Sequence, residues 1–193
     1  MASIVAADRA GIDRAVELLG RDEVVAIPTE TVYGLAGRAL SEPALLAIFS
    51  AKERPLFDPL IAHLALPRHT VNILDYVERR GLVELDALSP EVRDSIDDLL
   101  SAFWPGPLTI VLPRRAGVPD LLTAGLPRVA LRMPAHPVAQ EILERLGVPL
   151  AAPSANRFGR ISPTTAAAVA EELGDRIPLI VDGGPCRVGV EST

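Results

Sequence analysis

Lys52 and Arg54 stand two positions apart in KERP, and Lys52 is the one lysine of the chain. Arginine offers a planar fork of donors and lysine a compact point charge, so the pair suits an uneven polyanion such as a triphosphate. In an extended segment, side chains at i and i+2 point to the same side. A plainer interpretation is also open: both cations end a helix, where they complement the negative end of its dipole before Pro55.

A second pair, Ser154 and Asn156 in PSANRFG, follows an apolar stretch. Alternation along an extended chain places these two side chains on one side, where a hydroxyl and an amide can contact a ligand. Ser162 stands before Pro163 and is interpreted as the N-cap of the next helix. The N-terminus of that helix is another place where an anion can bind.

Further polar residues follow apolar segments elsewhere. The segment PTETVYGL, residues 28–35, is either a turn or the hydroxyl-lined floor of a pocket. Arg132 lies near the end of an apolar strand, where a buried cation needs either a substrate carboxylate or carbamate, or a structural Asp or Glu. His63 poses the same choice, and a lone histidine in this setting is more often structural.

Several familiar catalytic and nucleotide-binding motifs are absent from the sequence. It contains neither the phosphate-loop pattern GxxxxGK(S/T) nor the dinucleotide-binding pattern GxGxxG, so neither a P-loop nor a Rossmann site is expected. There is no GxSxG nucleophile elbow. No cysteine or histidine cluster has zinc-ligand spacing, and no metal site built from protein ligands is predicted.

The composition restricts the class of protein and its location. A length of 193 residues predicts one domain, with 49% hydrophobic and 23% charged residues. The net charge of −6 argues against strong direct binding of nucleic acid. One cysteine, Cys186, fits a reducing compartment. The sequence shows no signal-peptide pattern and no apolar run of about 18 residues, so a cytoplasmic location without a membrane span is predicted.

Caps and periodicity predict helices and strands that alternate along the chain. Asp8 and Gly20 bound the first predicted helix, and Val92, Ile96, Leu99 and Phe103 form the apolar stripe of a later one. Helices are predicted over 9–19, 42–51 (with Ser41 as its cap), 90–104, 137–146 and 164–174. Strands are predicted over 23–28, 59–64, 108–113, 128–134, 148–153 and 178–182.

This alternation predicts an α/β fold. Strands 108–113 and 128–134 follow each other with only a loop between them, so some neighbours are expected to be antiparallel. The predicted architecture is a twisted mixed parallel/antiparallel sheet flanked by helices. The stretch 64–88 has the weakest pattern and is a candidate insertion.

Six segments in order resemble the YrdC-like family, the threonylcarbamoyladenylate synthases. They are PTETVYGL, KERPLFDPLIAH, FWPGPLT, VALRMPAHP, PSANRFGRISPT and GVEST. Each segment alone is a weak signal, whereas their common order through nearly the whole chain is specific. The resemblance implies the twisted α/β fold of that family.

The resemblance also implies a reaction. L-threonine, bicarbonate and ATP would give threonylcarbamoyl-adenylate with release of pyrophosphate, and a partner transferase would pass the threonylcarbamoyl group to tRNA. Mg²⁺ is expected with the ATP, held mainly by phosphate oxygens and water. Positioning and charge stabilisation would serve such a reaction better than a covalent nucleophile.

The family's Lys-x-Arg and Ser-x-Asn signatures match Lys52/Arg54 and Ser154/Asn156. By this resemblance Lys52 and Arg54 are the catalytic pair. ATP is assigned to Lys52, Arg54, Asp58, Asn156 and Thr164, and the threonine and its carbamate to Thr31, His63, Arg132, Ser154 and Ser192. We refer to these as the ATP set and the threonine set.

The sequence departs from the family in two places. Asp58 stands where members often have Asn, and a carboxylate beside phosphates repels them unless it faces magnesium. Family members usually continue beyond the GVEST stretch, so residues 1–193 are interpreted as a catalytic domain that lacks a C-terminal extension.

Three other functions remain open from the sequence. One is an RNA-binding module without catalysis, and another is a related domain that forms a carbamoyl-adenylate. The third is Schiff-base chemistry at Lys52, which requires a desolvated amine.

Overall fold

The structure, a computed structural model, describes residues 1–67, 69 and 72–193. Its strands are β1 (Ser3–Ala6), β2 (Val25–Ile27), β3 (Gly34–Arg38), β4 (Ile61–His63), β5 (Thr109–Pro113), β6 (Arg128–Arg132), β7 (Leu150–Ala151) and β8 (Leu179–Asp182). Within the described residues they form one sheet in the order β1-β8-β2-β3-β7-β4-β6-β5. β4 is parallel to β6, and β5 is antiparallel to β6. The predicted mixed sheet is therefore confirmed.

Helices flank this sheet. They are α1 (Arg9–Gly20), α2 (Glu42–Lys52), α3 (Ile73–Arg79), α4 (Pro90–Phe103), α5 (Asp120–Thr123), α6 (Pro137–Leu146) and α7 (Ala166–Leu173). The candidate insertion 64–88 contains α3, and its residues 68, 70 and 71 lie outside the described residues. No helix in the described part of the chain combines the length and the apolar character needed to cross a bilayer.

Local sequence signals account for the ends of several helices. The Asp8 carboxylate accepts a hydrogen bond of 2.9 Å from the amide of Gly11 and caps α1 as predicted. α6 begins at Pro137 and ends before Gly147, which has φ of 74° in the left-handed region. These signals are local, so they can be read without knowledge of the tertiary structure.

Two predicted helix features are wrong. α7 begins at Ala166 with Thr165 as its N-cap, whereas Ser162 instead donates a hydrogen bond of 2.5 Å to Glu191. Of the predicted stripe on α4, only Ile96 is buried, together with Leu100, which the stripe did not include. The other three stripe residues are exposed because α4 presents a narrower face to the core: Val92, Leu99 and Phe103.

The sequence pattern also missed β3. Its sequence, GLAGR, has two glycines and no β-branched residue, so strand propensity is low. Hydrogen bonding to strands on both sides stabilises β3 despite its low propensity, because β3 lies between β2 and β7. A Cβ on Gly34 would lie 3.2 Å from the Cβ of Ala152, so this strand position favours glycine for close packing.

Each face of the sheet carries a hydrophobic layer. One layer contains buried side chains of α1 and α6, and the other contains those of α2, α4 and α7. Ala62 of β4 and Leu131 of β6 belong to the layer that contains α2. Since successive side chains of a strand point to opposite faces, His63 and Arg132 face the side that carries α1 and α6.

The packing of α1 against the end of β1 predicts opposite effects of two glycine substitutions. A Cβ on Gly11 would lie 2.0 Å from the carbonyl oxygen of Ala6, whereas a Cβ on Gly20 would meet nothing within 4 Å. Gly11→Ala should therefore lower the free energy of unfolding by about 2 kcal/mol or more. Gly20→Ala, the matched control, should leave it unchanged or raise it by up to ~1 kcal/mol. Equal effects of the two substitutions in urea denaturation would contradict this packing.

Candidate active site

All five residues of the threonine set line one small cavity of about 30 Å³. The parallel pairing of β4 with β6 places His63 directly beside Arg132. Thr31 comes from the loop after β2, Ser154 from the segment after β7, and Ser192 from the end of the chain. We call this space the Arg132 cavity. The structure thus brings together residues that are up to 161 positions apart, between Thr31 and Ser192.

Arg132 has a structural carboxylate partner. Its guanidinium lies 2.6 Å from Oε1 of Glu30, and the side chains are 4% and 5% exposed. The other carboxylate oxygen of Glu30 accepts a hydrogen bond of 3.0 Å from the amide of Ala135. Of the two partners that the sequence left open for Arg132, the structural acid is therefore present.

Arg132 nevertheless keeps donors for a ligand. Besides Glu30, it donates to Oγ1 of Thr31 at 2.9 Å and to the carbonyl of Gly106 at 3.2 Å. A guanidinium carries five N–H groups, and these contacts account for three of them. Since Arg132 lines the cavity, the other two are suited to a carboxylate or carbamate oxygen.

His63 is a buried, neutral imidazole. Burial, and then the positive charge of Arg132, lower the pKa of His63 to about 3. Its Nδ1 lies 3.1 Å from the carbonyl oxygen of Ile61, so Nδ1 carries the proton and Nε2 is an acceptor. The cavity therefore contains one guanidinium beside a side chain that accepts hydrogen bonds.

The C-terminal segment, residues 183–193, covers the cavity. The amides of Val188 and Gly189 donate to the carbonyls of Glu30 and Thr31 at 2.8 and 3.0 Å. Further along, Oγ of Ser192 lies 2.7 Å from Oγ1 of Thr109. The cavity is too small for an amino acid in this arrangement, so a ligand of that size requires side chains or this segment to move.

The ATP set lies beside the Arg132 cavity and does not line it. Arg54 forms an ion pair of 3.0 Å with Asp58 and donates to the carbonyl of Pro59 at 2.9 Å. Burial lowers the pKa of Arg54, and the negative charge of Asp58 opposes this effect. Asp58 thus neutralises one of the two cations predicted to bind phosphate.

Lys52 is almost completely buried, at 1% exposure. Its ammonium donates to the main-chain carbonyls of Ser154 and Asn156, the latter at 2.5 Å. Burial, followed by the charge of Arg54, lowers its pKa to about 8. The predicted catalytic lysine therefore contacts the Ser-x-Asn motif directly, through the backbone of that motif.

Asn156 and Thr164 complete the predicted ATP set. The side-chain Nδ2 of Asn156 donates to the main-chain carbonyls of Arg157 and Arg160 at 2.9 and 2.8 Å. Its Oδ1 is buried without a hydrogen-bond partner among the described residues, so it can accept from a ligand. The carbonyl of Thr164 accepts from the amide of Cys186 at 2.8 Å, which ties this residue to the C-terminal segment.

Two acidic residues of the site were missed by the sequence analysis. Glu30 was part of a quoted motif, and the need of Arg132 for a partner was the signal that could have identified it. Glu191 lines the cavity. Its negative charge partly offsets the lowering of the pKa of both Lys52 and Arg54. Glu191 was also part of a quoted segment, GVEST, but its place in the cavity depends on the tertiary path of the C-terminal segment.

The structure is thus an α/β domain with a small polar cavity near the centre of a mixed sheet. Residues 17–193 match the family model named Sua5/YciO/YrdC, which carries the description telomere recombination. The chain belongs to this family.

Curated relatives carry the name threonylcarbamoyl-AMP synthase. The protein of Pyrococcus abyssi is 46% identical over 171 residues, which is 89% of this chain and 46% of that protein. The protein of Bacillus subtilis is 45% identical over 186 residues, 94% of this chain and 49% of that protein. The chain thus spans about half the length of these relatives.

A solved structure of Pyrococcus abyssi Sua5 complexed with L-threonine resembles the whole chain. It aligns with a TM-score of 0.87 at 42% identity, covering 99% of this chain and 53% of that one. The predicted YrdC-like fold is confirmed.

The buried ion pair predicts a large effect of one neutralising substitution. Glu30→Gln should lower the free energy of unfolding by about 3 kcal/mol, because it leaves Arg132 buried without a counter-charge. Glu17→Gln is the matched control, since Glu17 pairs with Arg21 at the exposed surface, and it should change stability by less than about 1 kcal/mol. Urea denaturation measures both, and a Glu30→Gln value as small as the control value would contradict a stabilising pair.

The low pKa of His63 predicts loss of stability in acid. The pKa is about 3 in the folded chain, against an ordinary value of 6.5. Between these values the unfolded chain binds the additional proton, so the free energy of unfolding falls as the pH decreases. The contribution of His63 between pH 7 and pH 5 should be about 2 kcal/mol.

The comparison of His63→Gln with wild type isolates this contribution. His63→Gln should lose less stability than wild type between pH 7 and pH 5 in urea denaturation, and the exposed His69 provides the control His69→Gln. If wild type and His63→Gln showed the same pH dependence, the pKa of His63 would be the same in the folded and unfolded chains, which would contradict the lowered pKa.

Proposed function

We propose that this chain makes threonylcarbamoyl-AMP from L-threonine, bicarbonate (or carbon dioxide) and ATP, with release of pyrophosphate and water. The observation that carries the proposal is the convergence of Thr31, His63, Arg132, Ser154 and Ser192 on one cavity. The names of the curated relatives and the threonine complex of Pyrococcus abyssi Sua5 support it.

The polar side chains that line the cavity suit an amino acid and its carbamate, once side chains or the C-terminal segment have moved to admit a ligand of that size. Arg132 would bind a carboxylate or carbamate oxygen with its two remaining N–H groups, while the hydroxyls of Thr31 and Ser192 can donate or accept. Neutral His63 offers Nε2 to a donor such as the ammonium or hydroxyl of threonine. Glu30 balances the charge of Arg132, so the cavity would not attract a polyanion as strongly as an unpaired guanidinium.

The reaction needs position and charge, not a covalent enzyme intermediate. The amine of threonine adds to carbon dioxide and loses a proton, which gives a carbamate. A carbamate oxygen then attacks the α-phosphorus. The bond between the α-phosphorus and the oxygen that bridges to the β-phosphate breaks, and pyrophosphate is the leaving group. Arg54, beside Lys52 and near the cavity, would stabilise the charge that develops on the phosphates.

Mg²⁺ would accompany ATP on its phosphate oxygens and on water. Among the described residues no group of three or more His, Cys, Asp or Glu side chains could hold a metal. Asp58 is the carboxylate of the ATP set that could contact the water of such an ion, and its pairing with Arg54 limits its repulsion of phosphate. A cytoplasmic transferase that acts on tRNA would consume the product.

Threonine-dependent release of pyrophosphate from ATP tests the proposal. The rate should rise at least tenfold when L-threonine is added in the presence of bicarbonate and Mg²⁺, and it should fall when carbon dioxide and bicarbonate are removed. Arg132→Met should raise the KM for threonine far more than the KM for ATP, since Arg132 lies in the cavity of the threonine set.

Three results would overturn the proposal. Pyrophosphate release that is indifferent to threonine would exclude it. Turnover of carbamoyl phosphate in place of threonine and bicarbonate would favour a carbamoyl-adenylate domain. Salt-dependent affinity for RNA without ATP turnover would favour a binding module.

A further inference from the structure

One residue, Lys52, supports the turn that contains the Ser-x-Asn motif. Its ammonium donates to the carbonyls of Ser154 and Asn156. Its own main-chain carbonyl accepts a hydrogen bond of 2.9 Å from the amide of Phe158. The last residue of α2 therefore holds residues 154–158 at three points, two through the side chain and one through the main chain.

This turn serves both parts of the site. Ser154 lines the Arg132 cavity, whereas Asn156 belongs to the ATP set and has a buried, unpartnered Oδ1. The Asn156 amide group is fixed by two carbonyls further along the same turn, those of Arg157 and Arg160. A shift of the turn would therefore displace both side chains together.

We propose that Lys52 is a positioning residue for the threonine subsite as well as for the nucleotide, and that it acts through the backbone of residues 154–156. Two of its three ammonium protons are used by these carbonyls, so at most one is available to a phosphate. The inference rests on the proposed function for the identity of the ligands, and it adds that the removal of Lys52 weakens threonine binding even without ATP.

The chemistry of the ammonium explains why a lysine is suited to this position. Two carbonyl oxygens converge on one nitrogen, which a compact ammonium can accommodate and a planar guanidinium cannot match with the same geometry. The carbonyls also supply polar contacts to a cation that is almost completely removed from water. Charges around Lys52 come from Arg54, which opposes its protonation, and from Glu191, Asp58 and Glu172, which favour it.

Arg54 provides a matched control within the same motif. Its guanidinium contacts Asp58 and the carbonyls of Asp58 and Pro59, all within five residues of itself. In the structure it makes no hydrogen bond to the described residues of the 154–158 turn. Removal of Arg54 should therefore affect phosphate binding without disturbing Ser154.

The experiment compares Lys52→Met and Arg54→Met by calorimetry, with L-threonine and ATP titrated separately. Lys52→Met should weaken the binding of L-threonine at least tenfold in the absence of ATP, and it should also weaken ATP. Arg54→Met should weaken ATP at least tenfold and leave threonine within twofold of wild type. Threonine affinity within twofold of wild type in Lys52→Met would overturn the proposal and leave Lys52 as a phosphate ligand only.

Hydrogen exchange separates this inference from the proposed function. If wild type does not bind threonine, the proposed function fails, while the role of Lys52 in the turn is still measured by amide exchange. Exchange of residues 154–160 should accelerate at least tenfold in Lys52→Met and remain unchanged in Arg54→Met, and equal exchange in both variants would overturn the inference. If Lys52→Met does not fold, Lys52→Gln, which keeps one donor group, is measured instead with the same criteria.

Discussion

The ion pair between Glu30 and Arg132 is the interaction on which the site depends. Both groups are removed from water, so each must find polar partners to offset the loss of hydration. The pair obtains them from Thr31, from the carbonyl of Gly106 and from the amide of Ala135. These contacts join the loop after β2, the loop before β5 and the end of β6, and they fix the walls of the Arg132 cavity.

The same pair gives the site two electrically different parts. On one side Arg132 is balanced by Glu30 and acts mainly through the direction of its N–H groups. On the other side the charges of Asp58 and Glu191 act on both Lys52 and Arg54, while burial and then the charge of Arg54 lower the pKa of Lys52 to about 8. A carboxylate ligand and a triphosphate would therefore meet different environments within one site, although the whole chain carries a net charge of −6.

Elements whose ends are set by a local signal could be predicted from the sequence, whereas elements that depend on pairing between strands could not. Caps and prolines located α1 and α6, whereas β3 has low strand propensity and exists because β2 and β7 pair with it. In the site, the resemblance named five of the residues that line the cavity. The sequence predicted that Arg132 needs an acidic partner or a ligand, but it did not identify Glu30 as that partner. The ion pair depends on how the loop after β2 packs against the end of β6.

The position of Lys52 agrees with the helix-end interpretation of the sequence, and it adds contacts that the sequence did not predict. As the last residue of α2 it lies where the helix dipole favours a cation, which is the plain structural explanation. Glu53 then adopts a left-handed conformation with φ of 53°, so the chain turns away while the lysine side chain stays inside. There its ammonium meets the carbonyls of the 154–156 segment. The helix end thus supplies a buried donor to the carbonyls of the turn that bears Ser154 and Asn156, and the proposed positioning role has the same physical origin as the structural one.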